Sequence, residues 1–371
     1  MAGPEEFAYD NAGNQTSAVG KDRLGNVLTS YNYTYAVGSK DTALRRTVAQ
    51  ADPAWTRTTT YNYDAENRLT QAQNRANTWN YSYDPNGNRC RTDGQACQGA
   101  SDPYQYNGAD QLTSSPGVSS FSYDGNGNLA SSSAGASLNY NPQNQSTSIT
   151  NNGQTLGGMA YANVDQTERT QAGAHSFASS PLGMVATGSG GQVTYFTRDN
   201  FGSIVGERTP DGNHWHYLKD ALGSTVALIG NEGGVANRYA YDPYGVPIVK
   251  SETVWNPWLF AGGYYDETGF YKFGTRYYDP GLGRWTQRDS LAACISNPSF
   301  LNRYQYANDD PADHTDRRGT NPLCDVGLGL VAIGLCVIVS AFDGELTAVP
   351  CSLLFLGFTT YVCAQGDQGN L

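Results

Sequence analysis

The sequence predicts a mostly β protein assembled from short repeated hairpins, and three observations carry that reading. Glycine supplies 43 and tyrosine 26 of the 371 residues, against 3 methionines. A motif of an aromatic, then Asp or Asn, then a Gly- or Asn-containing turn recurs along the chain, and its copies stand about two short strands apart. Gly tolerates the φ > 0 positions of tight turns, and Tyr packs well on a pleated surface. The glycines follow no three-residue period, which excludes collagen.

The copies read, in order, YDNAGNQ from Tyr9, YDAENRL from Tyr63, YDPNGNR from Tyr83, YNGADQL from Tyr106, YDGNGNL from Tyr123 and YNPQNQS from Tyr140. Weaker copies begin at Lys21 and Tyr161. From Tyr63 onward the strong copies start 20, 23, 17 and 17 residues apart. In each, Asp or Asn is placed to accept from nearby backbone N–H groups, and the Gly-Asn pair supplies left-handed turn geometry. Tyr then rejoins the strand, where it is expected to stack on its counterpart in the next repeat. Pairs such as Tyr81 with Tyr83 and Phe121 with Tyr123 fall on one sheet face. Beyond residue 175 the units become TRDNFGSIVG from Thr197, LKDALGSTVAL from Leu218 and YAYDPYGV from Tyr239, with more apolar strand residues. The acids of these repeats sit where turns need them, so turn formation accounts for them better than calcium or glycan binding does.

Lys and Arg total 23 against 34 Asp and Glu, a formal charge of −11, so the main body lacks the basic footprint that nucleic acid requires. Of seven cysteines, Cys90 and Cys97 are spaced to close a local loop. An odd total fits neither a complete disulfide framework nor a zinc ligand set. His214 and His216 flank Trp215 without converging acids or cysteines, so neither a metal nor another cofactor is expected. The opening MAGPEEFAYD is acidic and polar and has no secretory-signal pattern, so export is expected by a non-classical route.

These motifs resemble those of RHS-repeat, or YD-repeat, proteins. The stretch NPWLFAGGYYDETGFYKFGTRYYDPGLGRWTQRDS, from Asn256 to Ser290, and LNRYQYANDDPADHTDRRG, from Leu301 to Gly319, resemble the RHS repeat-associated core. The resemblance divides the chain into a repeat region at 1–255, the core at 256–319 and a tail at 320–371. Within the core, Arg276, Tyr277, Tyr278, Asp279, Pro280, Gly283 and Trp285 form the structural signature. It implies a β-sheet ribbon winding into a hollow or partial shell, closed by the core. It further implies a scaffold of a bacterial polymorphic-toxin or secretion-associated protein that encloses its own C-terminal tail as cargo. A secretion apparatus or an immunity protein would be its partners. The alternative is a membrane-anchored surface or adhesion protein without catalytic activity.

The resemblance also implies self-cleavage at the end of the core by aspartates. Such a reaction needs one carboxylic acid and one carboxylate around a water, which two close carboxylates provide by separating their pKa values. Asp279, Asp289, Asp310 and Asp316 are the candidates, and Asp289 and Asp316 match the family's acidic positions best. Arg284 is the expected holder of a carboxylate, through a bidentate bond. Both acids persist here without the prolines that commonly follow them in the family, as Asp289-Ser290 and Asp316-Arg317. Asp279-Pro280 reads as a structural turn. Cleavage is expected just after Gly319, near Leu323-Cys324.

The tail differs in kind from the rest. Val326 to Phe342 and Leu346 to Cys363 are apolar, separated by the charged Asp343–Glu345. Each falls short of the roughly 20 residues of a comfortable membrane span. Together they suit a short helical hairpin, with Gly327, Gly329 and Gly334 permitting close contact. The tail contains no histidine, so His-based nucleophile activation is unavailable within it. The expected location is secreted or cell-surface, with membrane association through the tail as the alternative.

Overall fold

A computed structural model describes residues 5–320 apart from 23, 37–43, 53–54, 164–166 and 291–300. Its strands pair antiparallel with their neighbours in sequence, so each sheet is a meander. Seven strands over 5–80 form an N-terminal sheet, and five over 121–156 form a middle sheet. Ten over 160–251 form the largest, and four over 264–285 form the core sheet. Two-stranded ladders at 82–91 and 105–114 link the first pair. The protein is mostly β, as its composition predicts.

The repeated acid builds the turn. Asp84 Oδ1 accepts from the N–H groups of Asn86 and Asn88 at 2.9 and 2.8 Å, while Gly87 takes φ +76°. Asp124 repeats this with Asn126, Asn128 and Gly127. Asp10, Asp22, Asp199, Asp220 and Asp242 do the same in their own turns. Those carboxylates are therefore committed to local backbone, as the spacing implies.

The tyrosine has a different task from the stacking expected of it. Its hydroxyl reaches back across the sheet to a carbonyl of the preceding repeat. Tyr63 donates to Arg45 O, Tyr83 to Leu69 O, Tyr106 to Arg89 O and Tyr241 to Thr225 O, each at 2.8 Å. Tyr140 and Tyr161 make the same bond to Leu129 O and Ser146 O at 3.0 and 2.9 Å. A phenol thus buries its ring between repeats and satisfies an interior carbonyl, which phenylalanine cannot do.

The core sheet is the hub. Tyr271, Phe273, Tyr278, Trp285 and Tyr306 are buried against Trp258 and Phe260, with Tyr278 and Tyr306 ring centroids 4.3 Å apart. Three polar links tie this hub to the repeats. Arg169 forms a bidentate pair with Asp266 at 2.7 and 3.0 Å. Asn302 donates to Asn88 Oδ1 at 2.8 Å. Asp313 Oδ2 accepts from Arg45 N at 2.7 Å and lies 2.9 Å from the Tyr63 hydroxyl. Cys90 and Cys97 form a disulfide with Cα atoms 5.8 Å apart, closing the local loop their spacing suggests.

One buried acid gives the fold a pH dependence. Glu207 Oε2 lies 2.6 Å from the Tyr217 hydroxyl, which also lies 2.9 Å from Asn256 Oδ1. A single phenolic hydrogen cannot serve both oxygens, so a proton on Glu207 completes the chain of bonds. Burial pushes the Glu207 carboxyl up from 4.5 to about 7, opposed by the Tyr217 bond. The folded state then holds a proton that the unfolded state releases, so stability falls as pH rises from 4.5 towards 7 and is flat above. Relative to Glu207→Gln, whose amide supplies the N–H at every pH, the wild-type chain should lose on the order of 3 kcal/mol across that window. Thermal unfolding of both chains at a series of pH values measures the difference, and parallel curves would contradict it.

Candidate functional site

The strand Arg276–Asp279 runs antiparallel to Tyr271–Phe273 on one side and to Arg284–Trp285 on the other. Alternation along it points Arg276 and Tyr278 to one face, where Trp285, the partner of Tyr278, also lies. The Arg276 guanidinium stacks 4.1 Å from the centre of the Trp285 ring and is almost wholly buried. Its Nη2 lies 2.9 Å from Asp289 Oδ2 and 3.0 Å from Asp316 Oδ2. Nη1 donates to Arg303 O at 3.1 Å and Nε to Gly319 O at 2.6 Å. Both carboxylates are buried, Asp316 completely.

Thus the two acids that best match the resemblance, 27 positions apart in sequence, converge on one guanidinium nitrogen. Two carboxylates gathered on one donor are the residue types that general acid–base cleavage uses.

The arginine between them is Arg276 and not the expected Arg284. Arg284 neighbours Trp285, so its side chain leaves the strand on the opposite face. There its Nη2 donates to Asp110 O at 2.5 Å, and the guanidinium lies 4.8 Å from the Tyr106 ring centre. It is a fastening between the core and a repeat turn. The signal for Arg276 was present in its period-2 relation to Tyr278, but the pairing of Tyr278 with Trp285 that gives it meaning is not local.

Asp279 stands apart from the pair. Its Oδ1 accepts from Gly281 N and Leu282 N at 2.9 and 3.1 Å, and burial raises its pKa to about 6. With Pro280 and Gly283, which takes φ +66°, it forms a turn. Asp310 belongs to another cluster, where burial and then the neighbouring Asp313 drive its pKa well up. Tyr277 donates nothing to the acids; its hydroxyl accepts from Arg169 at 2.8 Å.

The chain end of the core is held against the site. Thr275 N donates to Arg318 O at 2.9 Å, and Thr320 N donates to Asp316 Oδ1 at 2.9 Å. Gly319 takes φ +62°, and a Cβ there would lie 2.7 Å from Phe273 O and 2.9 Å from Arg276 N. Gly319→Ala should therefore displace this segment and cost about 1–3 kcal/mol, read as a drop in the urea midpoint; an unchanged midpoint would mean the segment is not packed this way. Leu323, Cys324 and the apolar tail lie outside the described residues. Among the described residues no helix is long and apolar enough to cross a membrane. Also among them, one trio of metal-ligand types, Cys90, Cys97 and Asp102, comes together, and its sulfurs are joined to each other.

Comparison with known proteins decides the family. The family model described as Teneurin YD-shell matches residues 42–312, most of the chain. The chain belongs to the YD-shell family. The matched YD-shell segment contains Arg276 and Asp289 and stops four residues before Asp316. Among curated relatives, the YD-shell chain is 27% identical over 253 residues to the tRNA3(Ser)-specific nuclease WapA of Bacillus spizizenii, covering 64% of this chain and 11% of that one. It is 31% identical over 118 residues to the toxin subunit YenC2 of Yersinia entomophaga, covering 30% and 12%. A crystal structure of TcdB2-TccC3 superposes with a TM-score of 0.48 at 16% identity, covering 85% of this chain and 21% of that one. The chain thus spans about a tenth of the length of these curated relatives.

Proposed function

We propose that this YD-shell chain is the shell-forming scaffold of a secreted, toxin-associated protein, and that Asp289 and Asp316 cut the chain where it leaves the core. The observation that carries this reading is the convergence of both carboxylates on Arg276 Nη2 at 2.9 and 3.0 Å. One acid takes a proton from an attacking water while the other supplies a proton to the leaving nitrogen. Arg276 fixes both carboxylates in register, and Trp285 holds the guanidinium in place. The absence of prolines after both aspartates is offset by these bonds, which aim the acids without help from a fixed φ.

The repeats then act as a container wall, with the 320–371 tail as enclosed cargo. A relative named as a nuclease and another named as a toxin subunit support a toxin setting outside the cell. After cutting, the tail should stay with the body under native conditions and part from it on denaturation. Native size exclusion followed by denaturing electrophoresis tests this. Wild-type chain should elute as one species and resolve into two bands, whereas Asp289→Asn and Asp316→Asn should each run as one band. A tail that elutes apart from the body would refute enclosure, and two bands from both variants would refute the assigned acids.

A further inference from the structure

Four successive turns close one end of the ten-stranded sheet, and each places an apolar residue directly before a glycine of positive φ. They are Leu182 before Gly183, Phe201 before Gly202, Leu222 before Gly223 and Tyr244 before Gly245. Each turn joins the next pair of strands, so the four stand about 10 Å apart along that end.

Two of the four are covered. Tyr244 is 1% exposed, with its ring 4.9 Å from that of Tyr81 and its hydroxyl 2.6 Å from the Tyr83 hydroxyl, and Leu222 packs against the central apolar cluster. The row then runs out from under this cover: Phe201 is 93% exposed and Leu182 44%. A Cβ on Gly202 would lie 3.0 Å from Leu182 O, so the two open turns touch. A single exposed apolar side chain is ordinary, but these two continue a row whose other half is buried.

The chain leaves the core beside the open half of the row. Arg317 Nη2 donates to Leu222 O at 2.9 Å, and its Nη1 lies 3.4 Å from Ser203 Oγ, so it bridges the last covered turn and the first open one. Beyond Thr320 the sequence continues NPLCDVGLGLVAIG, and Asp325 is the single charged residue from 320 to 342. Extended chain covers roughly 3.3 Å per residue, so the stretch from Arg317 to Val326 reaches about 30 Å, past both open turns. Lys219 leads into the Leu222 turn, where burial and the neighbouring Arg317 hold its amine down to about 8 against the pull of Glu5 and Asp199. Asp325 would bring a further carboxylate to that end.

We propose that residues 322–330 of the chain's own tail dock on Phe201 and Leu182 and complete the row of covered turns. This inference rests on the container reading, in which the tail stays with the body, and adds to it the surface that holds the tail. It does not require the chain to be cut.

Photo-crosslinking of the full chain with p-benzoylphenylalanine in place of Phe201, mapped by peptide mass spectrometry, tests the inference. Crosslinks should run to residues 322–330 of the same chain. Crosslinks that join two copies would overturn this occupant, and so would an absence of crosslinks to the tail. Chymotrypsin gives a second reading, because the tail offers Leu and Phe but no Lys or Arg. Phe201→Ser combined with Leu182→Ser should speed removal of the residues beyond 322 roughly 10- to 100-fold, with the thermal midpoint of the body unchanged. Equal rates for the double variant and wild type would overturn the docking. A tail that co-elutes with the body yet neither crosslinks from position 201 nor responds to the double variant would overturn the docking and leave enclosure intact, whereas a tail that elutes apart would overturn both.

Discussion

Arg276→Met should destabilise the folded chain by about 3–5 kcal/mol and stop separation of the tail. Methionine preserves much of the stem against Trp285 but removes the guanidinium that bonds both Asp289 and Asp316. Two buried carboxylates then lose the donor they share, and the carbonyls of Arg303 and Gly319 lose the donors that lie 3.1 and 2.6 Å away. Arg276→Lys should fall between the two, because a single ammonium keeps the charge without the fork that reaches four acceptors. The urea midpoint reports the stability change, and intact mass reports cutting. A loss below about 1 kcal/mol would place the carboxylates in a far more solvated site than the fold indicates.

The second large effect is expected at the link between the ten-stranded sheet and the core. Arg169 is almost fully buried, paired to both oxygens of Asp266, and sandwiched with ring centres of Phe177 and Tyr264 at 4.5 and 4.9 Å. Asp266→Ala strands that guanidinium in the interior, and the loss should again be about 3–5 kcal/mol. The double variant Asp266→Ala with Arg169→Met should recover part of the loss, because the cost lies in the uncompensated charge rather than in the missing bond. Equilibrium unfolding of the three variants measures this. A double variant as unstable as the sum of the singles would show that the two residues act independently.

How much of this could be read from the chain depends on how far each interaction reaches. The turn chemistry was legible because it is local: Asp84 and Asn88 are four positions apart, and their residue types imply their bond. The core signature was legible as a string, but not that Asp289 and Asp316 meet on Arg276. What the residues do to one another across the fold was not. Tyr83 carries no mark showing that its hydroxyl reaches Leu69 O, 14 positions back. Arg284 and Arg276 look interchangeable in sequence, and only the pairing of Tyr278 with Trp285 shows which of them faces the acids. Arg169 sits in a weakly patterned stretch, 97 positions from Asp266, and nothing near it announces a buried ion pair.

The same reasoning explains why turn acids and site acids differ although both are aspartates. Asp124 has its oxygens filled by Asn126, Asn128 and their neighbours, all within the turn. Asp316 spends Oδ1 on Thr320 N and turns Oδ2 to Arg276 Nη2, which also bonds Asp289. The site acids meet on a shared donor, whereas the turn acids close their own loops.

The central claim is that this carboxylate pair cuts the chain that carries it, and denaturing intact-mass measurement of the purified full-length protein tests it most directly. Wild-type protein should give two masses that together exceed the 39.9 kDa chain by one water, and Asp289→Asn with Asp316→Asn should give the intact 39.9 kDa mass alone. A single intact mass from the wild-type protein, or the same two masses from the double variant, would contradict it.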